Sequence, residues 1–309
     1  MRLAIRTALP LVALLAACGA TAQQPMADVT IKAEPLAPGV AVLFGQGGNI
    51  GVSYGPDGTV LIDDQYAPLT AKIQAAVAAL GATPVKFLIN THWHGDHSGG
   101  NENLGKAGAL IMAHDNVRVR LAQDATSGAG TSRARLIPAA PKVALPVVTY
   151  DKGLKLHLND DELRVIFLHG GHTDGDSIVV WQKANVVHMG DLFMNKVSLP
   201  YLDLTSGASA VNFLASIEAA LKLTNASTKI IPGHGPVANQ ADLIAWRDML
   251  KSVIGSVQAS IKAKRTLAET KAAKPAAKWE VKGGFISGDA FTEAVYKSLT
   301  APAAKPHKH

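Results

Sequence analysis

The chain has 309 residues, 48% hydrophobic and 17% charged, and chains of this size hide roughly three quarters of their unfolded surface. The net charge is +6, but Arg2 and Arg6 lie at the amino end and many other cations fall in a C-terminal Lys-Ala-Pro segment. That leaves no basic stripe with interleaved aromatics, and a nucleic-acid partner is excluded. The single cysteine, Cys18, excludes a disulfide framework and any thiolate metal site elsewhere in the chain.

The first segment reads as a secretion signal over residues 1–22. Arg2 and Arg6 form its positive region, and Ala8–Ala17 is an apolar stretch too short to span a bilayer of roughly 30 Å as a helix. Two processing sites stand side by side. Leu15-Ala16-Ala17-Cys18 has the form of a bacterial lipobox, which would leave Cys18 as a lipidated membrane attachment, and Ala20-Thr21-Ala22 is an ordinary cleavage site. The position of the sole cysteine favours the lipobox. Either route predicts an exported protein, periplasmic or anchored as an outer-membrane lipoprotein.

Val40–Phe44 and Ile50–Tyr54 read as paired strands, and the turn Gly55-Pro56-Asp57-Gly58 returns the chain into a strand at Thr59–Ile62. Leu69–Leu80 is an Ala-rich helix closed by Gly81. Val85–Ile89 reads as a buried strand. It leads into Thr91-His92-Trp93-His94-Gly95-Asp96-His97, which crowds four metal-ligand side chains into six positions. No helix or strand face gains packing from that pattern, and three imidazoles beside a carboxylate are costly to bury unligated.

Further along, Ala109–Ala113 is a strand and Asp115–Leu121 a short helix. Asp124–Pro146, rich in Gly, Ala, Ser and Pro, reads as a mobile loop near the site. Leu154–Leu158 and Glu162–Leu168 form a hairpin around Asn159-Asp160-Asp161, and Gly170-Gly171-His172-Thr173-Asp174-Gly175-Asp176 follows it. Asn185-Val186-Val187 precedes His188-Met189-Gly190-Asp191, and Lys229-Ile230-Ile231 precedes Pro232-Gly233-His234-Gly235. Each has the same grammar: a strand, then a Gly-rich turn exposing a His or Asp. Ala210–Leu223 and Gln240–Ile261 are amphipathic helices, and residues 263–309 read as a weakly ordered tail. Strands in two runs flanked by helices fit two sheets between helix layers.

From about Val29 to Leu250 this order of motifs resembles the metallo-β-lactamase-fold hydrolases: Thr-His-x-His-x-Asp-His, a lone His, an Asp, a lone His. The resemblance implies an α/β chain, a four-layer αββα sandwich, with a catalytic domain over residues 28–262. It implies that His92, His94 and His172 hold one metal, that Asp96, His97 and His234 hold a second, and that Asp191 bridges them. Two Zn2+ per chain are expected, with iron the alternative, because the donors are nitrogen and oxygen only. Asp96 would orient the attacking water and pass its proton to the leaving group. The Gly51-Val52-Ser53-Tyr54-Gly55 run falls in a strand that leads into the turn Gly55–Gly58, not in a strand-to-helix elbow, so it suggests no serine nucleophile.

The resemblance says less about the substrate, expected to be a small molecule. Asp191 stands where many of the best-known β-lactamases carry Cys and others Ser. A bridging Asp is closer to glyoxalase II, lactonases and phosphodiesterases, yet Gly175-Asp176-Ser177 departs from the glyoxalase II pattern. The His-Thr-Asp-Gly-Asp-Ser run, the Pro-Gly-His-Gly turn and the secretion signal look similar to exported metallo-β-lactamase-like proteins, so hydrolysis of a β-lactam or another cyclic amide or ester is expected. Thioester, lactone or phosphodiester hydrolysis is the alternative within the class. A mono-iron oxidoreductase of the persulfide-dioxygenase kind, and a non-catalytic envelope protein that keeps the fold, are the alternatives outside it; the mark of the latter would be a broken ligand set, whereas all seven positions are filled here.

Around the ligands, Asp63, Asp64, Asp174 and Asp176 are placed either to accept a hydrogen bond from the N–H of a metal-bound imidazole or to cap turns. His114, His157, His169 and His188 lie outside the matched positions and are not expected as ligands. Lys196 and Tyr201, after Asp191, are candidates to anchor a substrate carboxylate.

Overall fold

A computed structural model describes the backbone of residues 26–127 and 135–301. The expected leader, with Cys18, lies outside the described residues. No described helix is long and apolar enough to cross a membrane.

The first sheet contains β1 (Lys32–Ala37), β2 (Val40–Phe44), β3 (Ile50–Ser53), β4 (Thr59–Ile62), β5 (Val85–Ile89) and β6 (Leu110–His114). A short antiparallel pair, β7 (Ala125–Ser127) and β8 (Arg135–Ile137), stands apart, and β9 (Val148–Tyr150) closes the first sheet beside β6. Strands β1 to β4 pair antiparallel, whereas β4, β5, β6 and β9 run parallel. The second sheet contains β10 (Gly153–Leu158), β11 (Asp161–Phe167), β12 (Ser177–Trp181), β13 (Val186–His188) and β14 (Lys229–Ile231) in that order. Only its last pair, β13 with β14, is parallel.

Strand alternation builds the layers. Val40, Val42, Val60 and Ile62 point one way and meet Leu163, Val165, Val179 and Trp181 of the second sheet, closing a buried core between the sheets. Their neighbours Ala41, Leu43 and Leu61 point the other way, onto Ile73 and Val77 of α1 (Thr70–Ala79). Two short helices, α2 (Gly95–Ser98) and α3 (Asn101–Lys106), follow β5, and α4 (Asp115–Leu121) follows β6. On the far face of the second sheet, Ile178, Val180, Val187 and Ile230 pack under α5 (Ala210–Leu221) and α6 (Gln240–Lys262). The order is helix, sheet, sheet, helix, the expected αββα sandwich.

Three segments differ from the sequence reading. Strand β1 carries Pro35 and two charges, so it does not read as a strand; it is tolerated because it is an edge strand whose register shifts at Pro35/Ala37. The central strand β12 is a further element, fully buried, that was not singled out. The tail is not weakly ordered up to residue 301: α7 (Leu267–Ala272) and α8 (Gly288–Thr300) form there. Thr266 and Glu269 make a reciprocal capping box, Ser287 caps α8, and Phe291 and Val295 enter the same core as α6. Lys and Ala composition hid two apolar residues spaced four apart, which is all a short helix needs to dock. Of the expected loop 124–146, the described residues form β7, β8 and a turn at Lys142–Ala144 with Ala144 and Leu145 buried.

Candidate metal centre

Every ligand turn sits at a strand's end. His92, His94, Asp96 and His97 follow β5, His172 lies between β11 and β12, Asp191 follows β13, and His234 follows β14. The two sheets present these ends to one side, and all seven side chains meet there in two groups, His92, His94, His172 and Asp191, then Asp96, His97 and His234. Within each group the donor atoms lie within 4.8 Å of one another.

Neighbours hold four of the five imidazoles from behind. Thr91 Oγ1 lies 3.0 Å from His92 Nδ1, Asp203 Oδ2 lies 3.0 Å from His94 Nε2, and the Tyr201 carbonyl oxygen lies 2.7 Å from His172 Nδ1. Asp63 Oδ2 lies 2.7 Å from His97 Nδ1, and the same carboxylate accepts from the Thr91 backbone N–H and hydroxyl. The opposite nitrogens therefore converge: His94 Nδ1 is 2.9 Å from His172 Nε2, and His97 Nε2 is 3.3 Å from His234 Nε2. The rings of His92, His94 and His172 form a triangle with centroids 4.7 to 4.8 Å apart.

Asp191 ties the groups together. Its Oδ1 lies 3.0 Å from His97 Nε2 and 3.3 Å from His234 Nε2, and its Oδ2 lies 3.5 Å from His172 Nε2. The 3.0 Å approach to His97 is a charge contact without hydrogen-bond alignment, since Asp191 Oδ1 has no hydrogen-bond partner. Asp96 Oδ2 stands 3.3 Å from His234 Nε2.

A divalent cation fits this donor set. His92 Nε2 and Asp191 Oδ1 are buried polar atoms with no hydrogen-bond partner, and a buried acceptor left that way costs about 1–3 kcal/mol. The charge pattern agrees. Burial alone would push the His97 imidazole down, but Asp191, Asp96 and Asp63 hold it well above its usual value. Burial likewise opposes charge on His234, yet Asp191 lifts it to about 9. Burial would raise the Asp191 carboxyl, but His234 and His97 hold it well below the carboxylate range. Imidazolium protons thus offset the carboxylates where a metal would. On the other side burial keeps the rings neutral and ready to donate: His172 is pushed down to about 4 and His92 well below its usual value.

The remaining sequence candidates divide. Asp63 supports His97, as one of its two readings had it. Asp64 accepts from the Gly100 backbone N–H, and Asp176 accepts from His172 N, Thr173 N and Thr173 Oγ1, so both shape ligand turns. Asp174 pairs with Arg120 at 2.6 Å rather than with a ligand imidazole. Among the non-ligand histidines, His188 Nε2 meets the Asn49 carbonyl, His114 caps α4, and His157 lies on the surface. Lys196 Nζ reaches Asp242 at 3.4 Å rather than the cluster, whereas the Tyr201 ring stands 5.9 and 5.6 Å from the rings of His94 and His172. Sequence reasoning missed Asp203. Its signal is the Asp203-Leu204-Thr205-Ser206 turn, where it accepts from Thr205 N and Ser206 Oγ; Trp93 Nε1 donates to the same Ser206.

The sequence signature of the metallo-beta-lactamase superfamily matches residues 44–251, more than half of the chain, and the chain belongs to that superfamily. Its two His/Asp groups could hold metal ions. It is 25% identical over 185 residues to the "Beta-lactamase-like protein 2 homolog" of Caenorhabditis elegans, 59% of this chain and 53% of that one. The chain thus spans about half the length of that relative. It is 27% identical over 195 residues to the metallo-beta-lactamase type 2 of Bacillus cereus, 63% of this chain and 69% of that one. Among solved structures, a metallo-beta-lactamase from Pontibacter korlensis superposes with a TM-score of 0.58 at 20% identity, covering 72% of this chain and 99% of that one. A double mutant of the sec-alkyl sulfatase PisA1 superposes with a TM-score of 0.65 at 18% identity, covering 88% of this chain and 50% of that one. Both share the fold.

Proposed function

We propose that the chain is a dinuclear zinc hydrolase acting on a cyclic amide or ester, with β-lactamase activity. The observation that carries this is orientation: His94 and His172 turn a nitrogen to the point faced by the orphaned His92 Nε2, while every opposite nitrogen is engaged. His92, His94 and His172 would hold one ion, Asp96, His97 and His234 the other, and Asp191 both. When bound, the two ions supply Lewis acidity and lower the pKa of water towards about 7. The likeness to the Bacillus cereus enzyme supports the β-lactam choice.

The chain's own residues do the rest. Asp191, with its side chain only 6% exposed, keeps the two groups at fixed separation and neutralises positive charge between them. Asp96, with its side chain 25% exposed, is placed at the open edge, where Oδ2 can orient water and hand a proton to a leaving nitrogen or oxygen. Asp63 and Asp203 hold His97 and His94 in the tautomers that leave the inner nitrogens free. Attachment to the envelope through a lipidated Cys18 belongs to the same proposal and rests on the lipobox alone; loss of lipid labelling in Cys18→Ala tests it.

The test is metal quantification on purified protein, followed by nitrocefin, a lactone, a thioester and a phosphodiester. Two zinc per chain, chelator-sensitive nitrocefin turnover and recovery on adding zinc are expected. One iron per chain, or turnover that chelation leaves intact, overturns the reading.

A further inference from the structure

A hollow of about 330 Å³ lies between the Pro200–Thr205 loop and α8. Tyr201, Leu202 and Leu204 line one wall, and Ile286, Ala290 and Ala294 the other. On α8, Phe291 and Val295 turn into the core and fix the helix, so the small side chains at 290 and 294, four apart, leave the space open. Larger residues there would fill it. The hollow also presents no unpaired carboxylate among the described residues. Glu293 is held between Lys271 and Lys297 at 2.8 Å each, and Asp203 is engaged by His94 and Ser206.

Two walls connect this hollow to the metal centre. Tyr201 lines it, the ring of the same residue stands 5.9 and 5.6 Å from those of His94 and His172, and its carbonyl oxygen meets His172. On the other wall, Ile286 follows Phe285, whose ring is 5.9 Å from that of His234, and the Ile286 backbone N–H donates to Ser198. The α8 wall comes from beyond residue 251, where the superfamily match ends.

We propose that the hollow receives an uncharged apolar arm of the substrate, a short acyl or alkyl chain, carried on the amide or ester cleaved at the metal centre. This deepens the hydrolase reading and rests on it. The volume is at the lower end for small-molecule sites, and apolar walls without a free charge select against a charged arm.

The test uses the zinc-loaded mature protein with p-nitrophenyl alkanoates from acetate to octanoate, in wild type, Ala290→Leu and Ala294→Leu. Melting curves check that each variant folds. In wild type kcat/KM should climb roughly fourfold per methylene until the hollow fills. In both leucine variants the ratio of hexanoate to acetate should fall towards one, a comparison internal to each enzyme. A flat wild-type series, or an unchanged ratio in the variants, overturns the proposal while turnover itself leaves the hydrolase reading standing. If no ester is turned over, that reading fails for esters and hexanamide binding, followed by calorimetry, decides the hollow: saturable binding lost in Ala290→Leu supports it, and no saturable binding removes it.

Discussion

Asp203 Oδ2 lies 3.0 Å from His94 Nε2, and this one contact turns His94 so that Nδ1, not Nε2, faces the cluster. Burial opposes charge on Asp203, but the His94 bond holds its carboxyl below the usual range, so it stays an acceptor. Asp203→Ala should therefore lower metal affinity by roughly 10- to 100-fold while the protein remains folded. Competition with a chromophoric chelator measures it, and wild-type affinity in the variant would end the assignment.

A single methyl group should have a comparable effect at Gly48. A Cβ there would lie 2.1 Å from His97 Cε1, so the imidazole must move. His97 cannot retreat without breaking its contact with buried Asp63. Displacing a ligand by about 1 Å can cost on the order of 100-fold in rate. Gly48→Ala should lose metal and activity together, and a variant with full metal content and unchanged kcat/KM would show that the loop relaxes instead.

The raised imidazoles give the metal-free protein a defined pH response. His234 titrates near 9 in the fold against an ordinary 6.5, so its contribution to stability is whole below about 6.5 and is lost as pH rises through about 9. His97 is shifted in the same direction. Metal-free protein should thus melt at lower temperature as pH rises across that window. Metal uptake must displace those protons, so affinity should climb with pH and level off above about 9. Calorimetry at pH 7.5 in two buffers of different ionisation heat reads the release; equal heats in both would contradict the charge pattern.

The C-terminal helices should be part of the stable fold. Phe291 is fully buried against the α6 core, and truncating such a side chain costs about 3–5 kcal/mol. Phe291→Ala should shift a urea transition of the full chain by that amount. A loss below about 1 kcal/mol would mean that α8 is only loosely docked.

Much of the site was legible because each ligand turn is local. Each of the four turns with Gly beside a His or Asp is written within a few consecutive positions after a run of apolar residues, and strand ends place them on one side of an open sheet. The near-continuous apolar runs Val40–Phe44 and Thr59–Ile62 likewise mark strands buried on both faces, as a sheet between two layers requires. Strand β1 was not legible, because an edge tolerates Pro35 only through a shift that depends on its partner. Nor was α8, whose helix rests on burial of Phe291 and Val295 against distant residues.

By itself, then, the sequence determined the Gly-rich ligand turns and the two runs of strands that carry them, because both follow from short-range pattern, while the resemblance to the metallo-β-lactamase fold singled out the seven ligands among the residues of those turns. Tertiary structure alone decided which nitrogen each imidazole turns inward. That choice belongs to Asp63, Asp203 and the Tyr201 carbonyl, which lie 34, 109 and 29 positions from the rings they hold. It also placed α8 against the Tyr201 loop, a contact between surfaces that no local spacing encodes.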